Sequence, residues 1–387
     1  MQWIVTAHVR REVWRRLFEF ANEEVAVHAI ALRHGPASGA SMAGNYRKQA
    51  RQIRAVLFQA KEYFEAAEQA SFHTSPNHLY YGMVCLASAV MLLNGTGDQS
   101  LDVLRLDPAN RNHGLDFSLG SSSANAGVGT HLLEDARVAV RERGHFPNWY
   151  DLLPPIMEVF GIITRLGGSL ETRSWDAIGA APRTPGSSLV GTNTTLLGLL
   201  RHVPDFHSEW ERYGISVPIS RAMVELLING RARTHTLRFI INGATTAAAF
   251  DAILEGFKVP ATYCDIPQLL QDSENSGAVS YTSVPGSTFI PLNFPDIRGT
   301  LDEVQLIYGE AIGTPEWADV YRACFGLSML SRYYPDYWIK CLESQCISAK
   351  LVERFVDIYS EKFPTLALSY LAREKIVVST QSAPCWH

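Results

Sequence analysis

The chain has 387 residues, 47% of them apolar and 19% charged, with a formal net charge of −5. Those values describe a folded protein with room for two or three packed units, and they exclude a disordered, collagenous or strongly basic chain. No apolar run approaches the ~20 residues of a membrane helix. The arginines near the N-terminus follow the short apolar run, the wrong order for a secretory signal. Six cysteines at 85, 264, 324, 341, 346 and 385 form no framework, which predicts reduced thiols and a cytoplasmic setting. Residues 1–60 carry nine Lys/Arg against four Asp/Glu, and residues 61–165 carry seven against twelve. A basic N-terminal face could meet RNA, DNA or an acidic partner; it could equally neutralise the acidic segment packed beside it.

In chain order, helical spacing predicts a first helix over 10–32, with Val13, Leu17, Phe20, Ala21 and Val27 inward and His34-Gly35-Pro36 as its stop. A second helix, 42–70, sets an apolar stripe (Ile53, Val56, Leu57, Ala60, Phe64, Ala67) against a basic one of Arg47, Arg51 and Arg54. The third, 75–94, starts at Ser75-Pro76 and is apolar nearly all round, the mark of a buried helix. Residues 95–129 read as a long Gly/Ser/Asn-rich loop, 136–140 as a strand, 152–166 as a helix and 167–195 as a loop. A short helix covers 196–203. Strands are expected at 234–241, 280–284 and 288–292, with a helix at 244–257. Helices return at 317–330, from Pro335, at 347–359 and at 365–373. The fold class is α+β, mainly α, with C-terminal helices packing back on the N-terminal ones. The expected regions are 1–166, 167–300 (mixed, with strands) and 301–387.

Few sites carry recognisable chemistry. There is no GxxxxGK[ST], no GxGxxG after a strand and no Gly-x-Ser-x-Gly. Cys341 and Cys346 lack a second Cys/His pair at zinc spacing, so neither metal nor cofactor is expected. Pro335-Asp336 reads as a helix start. Two clusters remain. Asn110, Arg111, Asn112 and His113 stand in the long loop before Gly114, which permits close backbone approach. Arg332, Tyr333, Tyr334 and Trp338 join aromatic rings to a guanidinium able to stack on a base or a partner side chain. For both, tying loop to core is the competing reading.

Several stretches, taken in order, resemble the YaaC-like family of bacterial proteins: REVWRRLFEFA, FQAKEYFEAAEQA, SPNHLYYGMVCLASAVML, the His113-Gly114 pair, VAVRERGHFPNW and SMLSRYYPDYW. The resemblance brings no settled reaction with it. The helical core is similar to HEPN domains, in which a tyrosine-bearing helix, here with Tyr80 and Tyr81, packs in a small bundle. Many HEPN domains are metal-independent ribonucleases with about four to six residues between an Arg and a His. Here Arg111 is too near His113 and Arg105 too far, while Arg141 is too near His145. Arg201 and His207 have the right spacing, but Pro204 breaks the helix that should present them. The resemblance implies an adaptor or sensor that binds nucleic acid, a partner protein or a second copy of itself, in bacterial defence or stress. The alternative is a ribonuclease with His113 or His207 as base and Arg111 or Arg201 on phosphate.

Overall fold

A computed structural model describes residues 2–95, 100–106, 108–120, 125–156, 158–166, 170–179, 183–217, 219–229, 234–242, 270–271, 277–282, 297–299, 305–308 and 313–380. Four N-terminal helices follow the apolar spacing: α1 (Val9–Leu17), α2 (Glu23–His34), α3 (Ala40–Gln69) and α4 (Ser75–Asn94). The expected single first helix is broken. Residues 18–22 form a turn, and the Asn22 side chain accepts from the Glu24 and Val25 N–H groups to start α2 anew. Helix α4 buries Leu79, Tyr80, Met83, Leu86, Ala87 and Val90 completely. Against α3 it comes so close that a Cβ on Gly82 would stand 2.8 Å from Phe64.

The long segment after α4 is more ordered than its composition suggests. It holds α5 (Leu101–Leu106), a 3-10 turn at Pro108–Arg111 and strand β2 (Leu115–Leu119). In Leu115-Asp116-Phe117-Ser118-Leu119 apolar and polar residues alternate, the pattern of a half-buried strand. With β1 (Gln2–Val5) preceding it in the chain, β2 pairs antiparallel with β3 (Ala136–Val140), and β3 with β6 (Asn193–Thr195). The short helix α6 (His131–Asp135) precedes β3.

The expected helix at 152–166 is also corrected. Helix α7 runs His145–Asp151, and residues Glu158–Leu166 form β4 instead. Pro154-Pro155 stops a helix, and the run Val159-Phe160-Gly161-Ile162-Ile163 favours a strand. Strand β5 (Leu170–Gly179) occupies the expected loop and completes a hairpin with β4. The middle continues with α8 (Gly186–Leu189), α9 (Leu196–Leu200), α10 (His207–Tyr213), β7 (Ile219–Asn229) and β8 (Thr234–Asn242). One edge of β7 pairs with β8, and the other serves β4 in parallel and β12 (Gln305–Tyr308) antiparallel. Strands β9 (Leu270–Gln271), β10 (Gly277–Thr282) and β11 (Ile297–Gly299) complete this sheet. The helix expected at 244–257 and the strand expected at 288–292 lie outside the described residues.

Helices α11 (Glu316–Tyr333), α12 (Pro335–Ser344) and α13 (Ile347–Ala372) follow, and α11 and α13 pack on α4. The two helices expected at 347–359 and 365–373 are one, with Pro364 inside it. Burial of Phe363, Ala367 and Leu368 outweighs the one helical hydrogen bond lost at the proline. Strand β13 (Ile376–Ser379) pairs in parallel with β1. The chain is thus α+β and mainly helical, with C-terminal helices packed back on the N-terminal ones.

Candidate functional site

Two glycines bring distant histidines together. Gly114 and Gly144 have φ of +73° and +135°, a region that suits glycine. Their backbones cross directly: a Cβ on Gly144 would lie 2.3 Å from Gly114 Cα, and one on Gly114 would lie 2.4 Å from Pro147 Cδ. Asn112 Oδ1 accepts from the Gly114 N–H at 2.8 Å and so folds the turn. Its carbonyl accepts from His145 N, and the His113 carbonyl from Phe146 N, each at 3.0 Å. His113 and His145 therefore face the same aromatic wall of α4 and α11, made of Tyr80, Tyr321 and Phe325.

The hydrogen-bond directions within this group follow from the single proton on each hydroxyl. Ser88 Oγ stands 2.8 Å from the Val84 carbonyl, which only accepts, so its proton points there. The 2.9 Å contact from His145 Nε2 to Ser88 Oγ is then donated by the ring. Burial, with help from His113, lowers the His145 pKa to about 4, so the ring is neutral at pH 7. Its Nδ1 is left as an acceptor for the Tyr321 hydroxyl at 2.9 Å. The Tyr321 oxygen interacts with the Tyr80 hydroxyl, which in turn lies 2.8 Å from His113 Nδ1. If the Tyr80 proton points to Tyr321, His113 is protonated on Nδ1 and presents a bare Nε2. If it points to His113, the ring's proton moves to Nε2. One rotatable hydroxyl therefore sets the His113 tautomer.

His113 is half-buried, and its pKa is lowered by burial and then by Arg332. The cation that acts on it is thus Arg332 of α11 rather than Arg111. Arg111 is exposed and donates from Nε to the Arg105 carbonyl at 2.9 Å. Arg332 Nη1 donates to the Tyr81 hydroxyl at 2.8 Å, and its guanidinium lies 5.7 Å from the Tyr81 ring centre and 5.1 Å from that of Tyr333. Tyr81 stacks on Tyr63, and Tyr333 is 63% exposed. A guanidinium and two tyrosine rings are thereby grouped, and the same guanidinium helps to keep the His113 imidazole neutral.

The other expected site residues are placed differently. Trp338 is buried and donates from Nε1 to the His73 carbonyl at 3.1 Å, so it belongs to the core and not to a stacking surface. Tyr334 packs on Phe117. The 3-10 turn includes the backbone of Asn110, whose side chain lies outside the described residues. Arg201 is exposed at the end of α9, and His207 Nδ1 faces the Pro204 carbonyl at 3.3 Å. Arg47, Arg51 and Arg54 are exposed along α3, with Arg54 over the Phe58 ring.

Sequence reasoning missed two buried charge clusters. Asp319 on α11 receives Arg298 at 2.8 Å, Arg322, and Thr314 Oγ1 at 2.8 Å. Burial alone would raise its pKa, but Arg298, His202 and Arg322 overrule it and hold the carboxyl well below its ordinary range. Arg298 also donates to the His202 carbonyl at 2.8 Å, so β11 is tied to α11 and the end of α9. Lys362 bridges Asp205 at 2.7 Å and Glu316 at 2.6 Å. Both clusters pair their charges internally and read as latches, with the buried Arg322 Nε left without a hydrogen-bond partner. The local signal was Asp319 and Arg322, an opposite-charge pair three residues apart on one helix; the other charged partners are distant in the chain and carry no motif.

Among the described residues no group of three His, Cys, Asp or Glu is arranged to hold a metal ion, and no helix is long and apolar enough to cross a membrane. No curated protein and no solved structure matches the chain. The model of one family, described as YaaC-like Protein, matches residues 21–371. That span takes in α2 through α12, all but the last residue of α13, the glycine crossing and both histidines, and the chain belongs to the YaaC-like protein family.

Proposed function

We propose that this is a cytoplasmic, HEPN-like adaptor or sensor that binds single-stranded nucleic acid on the Arg332 face, in bacterial defence or stress. The observation that carries the reading is the Arg332 guanidinium set against Tyr81 and the exposed Tyr333. A guanidinium beside an exposed ring suits a phosphate followed by a stacked base. The HEPN-like part is supported by the tyrosine-bearing α4 packed between α3 and α11. A partner protein or a second copy of the chain is the protein-binding form of the same reading.

The effect of the Arg332 charge on His113 favours a second reading, a metal-independent ribonuclease. His113, neutral at pH 7, would take the proton of a ribose 2′-OH while Arg332 balances charge on the phosphate. Incubating the purified protein with RNA and with single-stranded DNA in EDTA tests both. Binding without cleavage supports the adaptor. RNA cleavage that His113→Ala abolishes, with binding retained, supports the nuclease. Neither binding nor cleavage would contradict both.

A further inference from the structure

Arg33, in the last turn of α2, and Arg373, just past α13, converge on one neutral acceptor. Arg33 Nη1 and Arg373 Nε lie 2.8 and 3.1 Å from Asn94 Oδ1. Arg33 Nη2 also donates to the Leu371 carbonyl. Among the described residues, no carboxylate pairs with either guanidinium. Burial and then Arg373 lower the Arg33 pKa to about 10. Two like charges are therefore held together with no opposite charge between them.

Three helix C-termini meet here, and their carbonyls attract cations. That accounts for Arg33, which caps Leu371. It leaves three features without a structural reason. Asn94 is 8% exposed, yet its Nδ2 has no partner, and the amide cannot flip because both guanidiniums would then face an NH₂ group. His34, at the same end of α2, has a buried Nε2 that meets no partner in good hydrogen-bond geometry, the Leu93 backbone being the group that acts on the ring. Arg373 itself sits at φ +57°, where glycine or asparagine is usual after a helix. Gln345, which shares that conformation, turns its side chain back to its own helix at Leu342. Arg373 instead leaves its helix for Asn94, is exposed, and uses one of its five N–H donors.

We propose that Arg33, Arg373 and the Asn94 amide form a binding site for a small oxyanion, a phosphate or a carboxylate group. The two guanidiniums hold the anion and Asn94 supplies a neutral donor. The site stands about 20 Å along α4 from Tyr80, at 1.5 Å per residue, so it is separate from the Arg332 face.

The test uses the full chain, melted and titrated calorimetrically with sodium phosphate, sodium acetate and sodium chloride at equal ionic strength. Phosphate, acetate or both should raise the melting temperature saturably over chloride, and the effective salt identifies which oxyanion fits. Arg373→Gly removes the guanidinium and suits the positive φ. It should melt in chloride no lower than wild type and bind the effective anion at least about tenfold more weakly. Should that variant not fold, Arg373→Gln, whose amide can still reach Asn94, is read for the same loss of affinity. No anion-specific response in the wild type, or an equal response in the variant that folds, would overturn the proposal.

Discussion

Gly114 and Gly144 meet backbone to backbone, with only 2.3 Å between Gly114 Cα and the place a Cβ on Gly144 would take. This crossing holds His113 and His145 on the same aromatic wall. Gly144→Ala would combine that clash with an unfavourable φ of +135°. We expect a loss of about 2 kcal/mol or more in urea denaturation. A variant within about 0.5 kcal/mol of wild type would show that the crossing can open at little cost.

His145 gives the fold a pH dependence of known sign. Its pKa is about 4 in the fold, against about 6.5 unfolded. The fold favours the neutral ring, so this contribution is complete above pH ~6.5 and is lost as the pH falls through 4. At most about 3.5 kcal/mol is at stake. His145→Gln keeps a donor and an acceptor for Ser88 and Tyr321 without titrating. Its stability should fall less steeply than wild type between pH ~6.5 and ~4, and parallel curves would contradict the assignment.

Much of the helical frame was legible in the sequence. The α3 stripe, the apolar α4 with its Ser75-Pro76 start, and the Pro335 start of α12 all express local rules. The errors came where two local signals compete. Leu152–Leu166 has apolar residues at spacings a helix could use, but Pro154-Pro155 stops a helix and the run from Val159 to Ile163 belongs to β4. Residues 18–22 continue an apolar pattern, yet Asn22 caps a new helix. The site was legible only in parts. His113 and Arg332 were each singled out, but their meeting depends on α11 packing against α4. Proximity in sequence named Arg111 as the cation instead. His145, Tyr321 and Ser88 lack a motif and become visible only once the two glycines cross.

The basic stripe tests the proposed use of nucleic acid. Arg47, Arg51 and Arg54 are exposed, as either an RNA-binding face or an ordinary solvated face requires. If they contact phosphates, binding should weaken steeply with salt, and the triple alanine variant should flatten the slope of log affinity against log salt by about 2 to 3. An unchanged slope would make the stripe a solvated face.

The most direct test of the account is the affinity of a fluorescent single-stranded RNA, by anisotropy at about 50 mM salt, for wild type, Arg332→Ala and Arg111→Ala. Arg332 lies against Tyr81 and Tyr333 and its charge lowers the His113 pKa, whereas Arg111 is turned to the Arg105 carbonyl. We predict that Arg332→Ala weakens binding by about tenfold or more and that Arg111→Ala changes it less than about twofold. Equal losses in both variants, or a loss confined to Arg111→Ala, would contradict it.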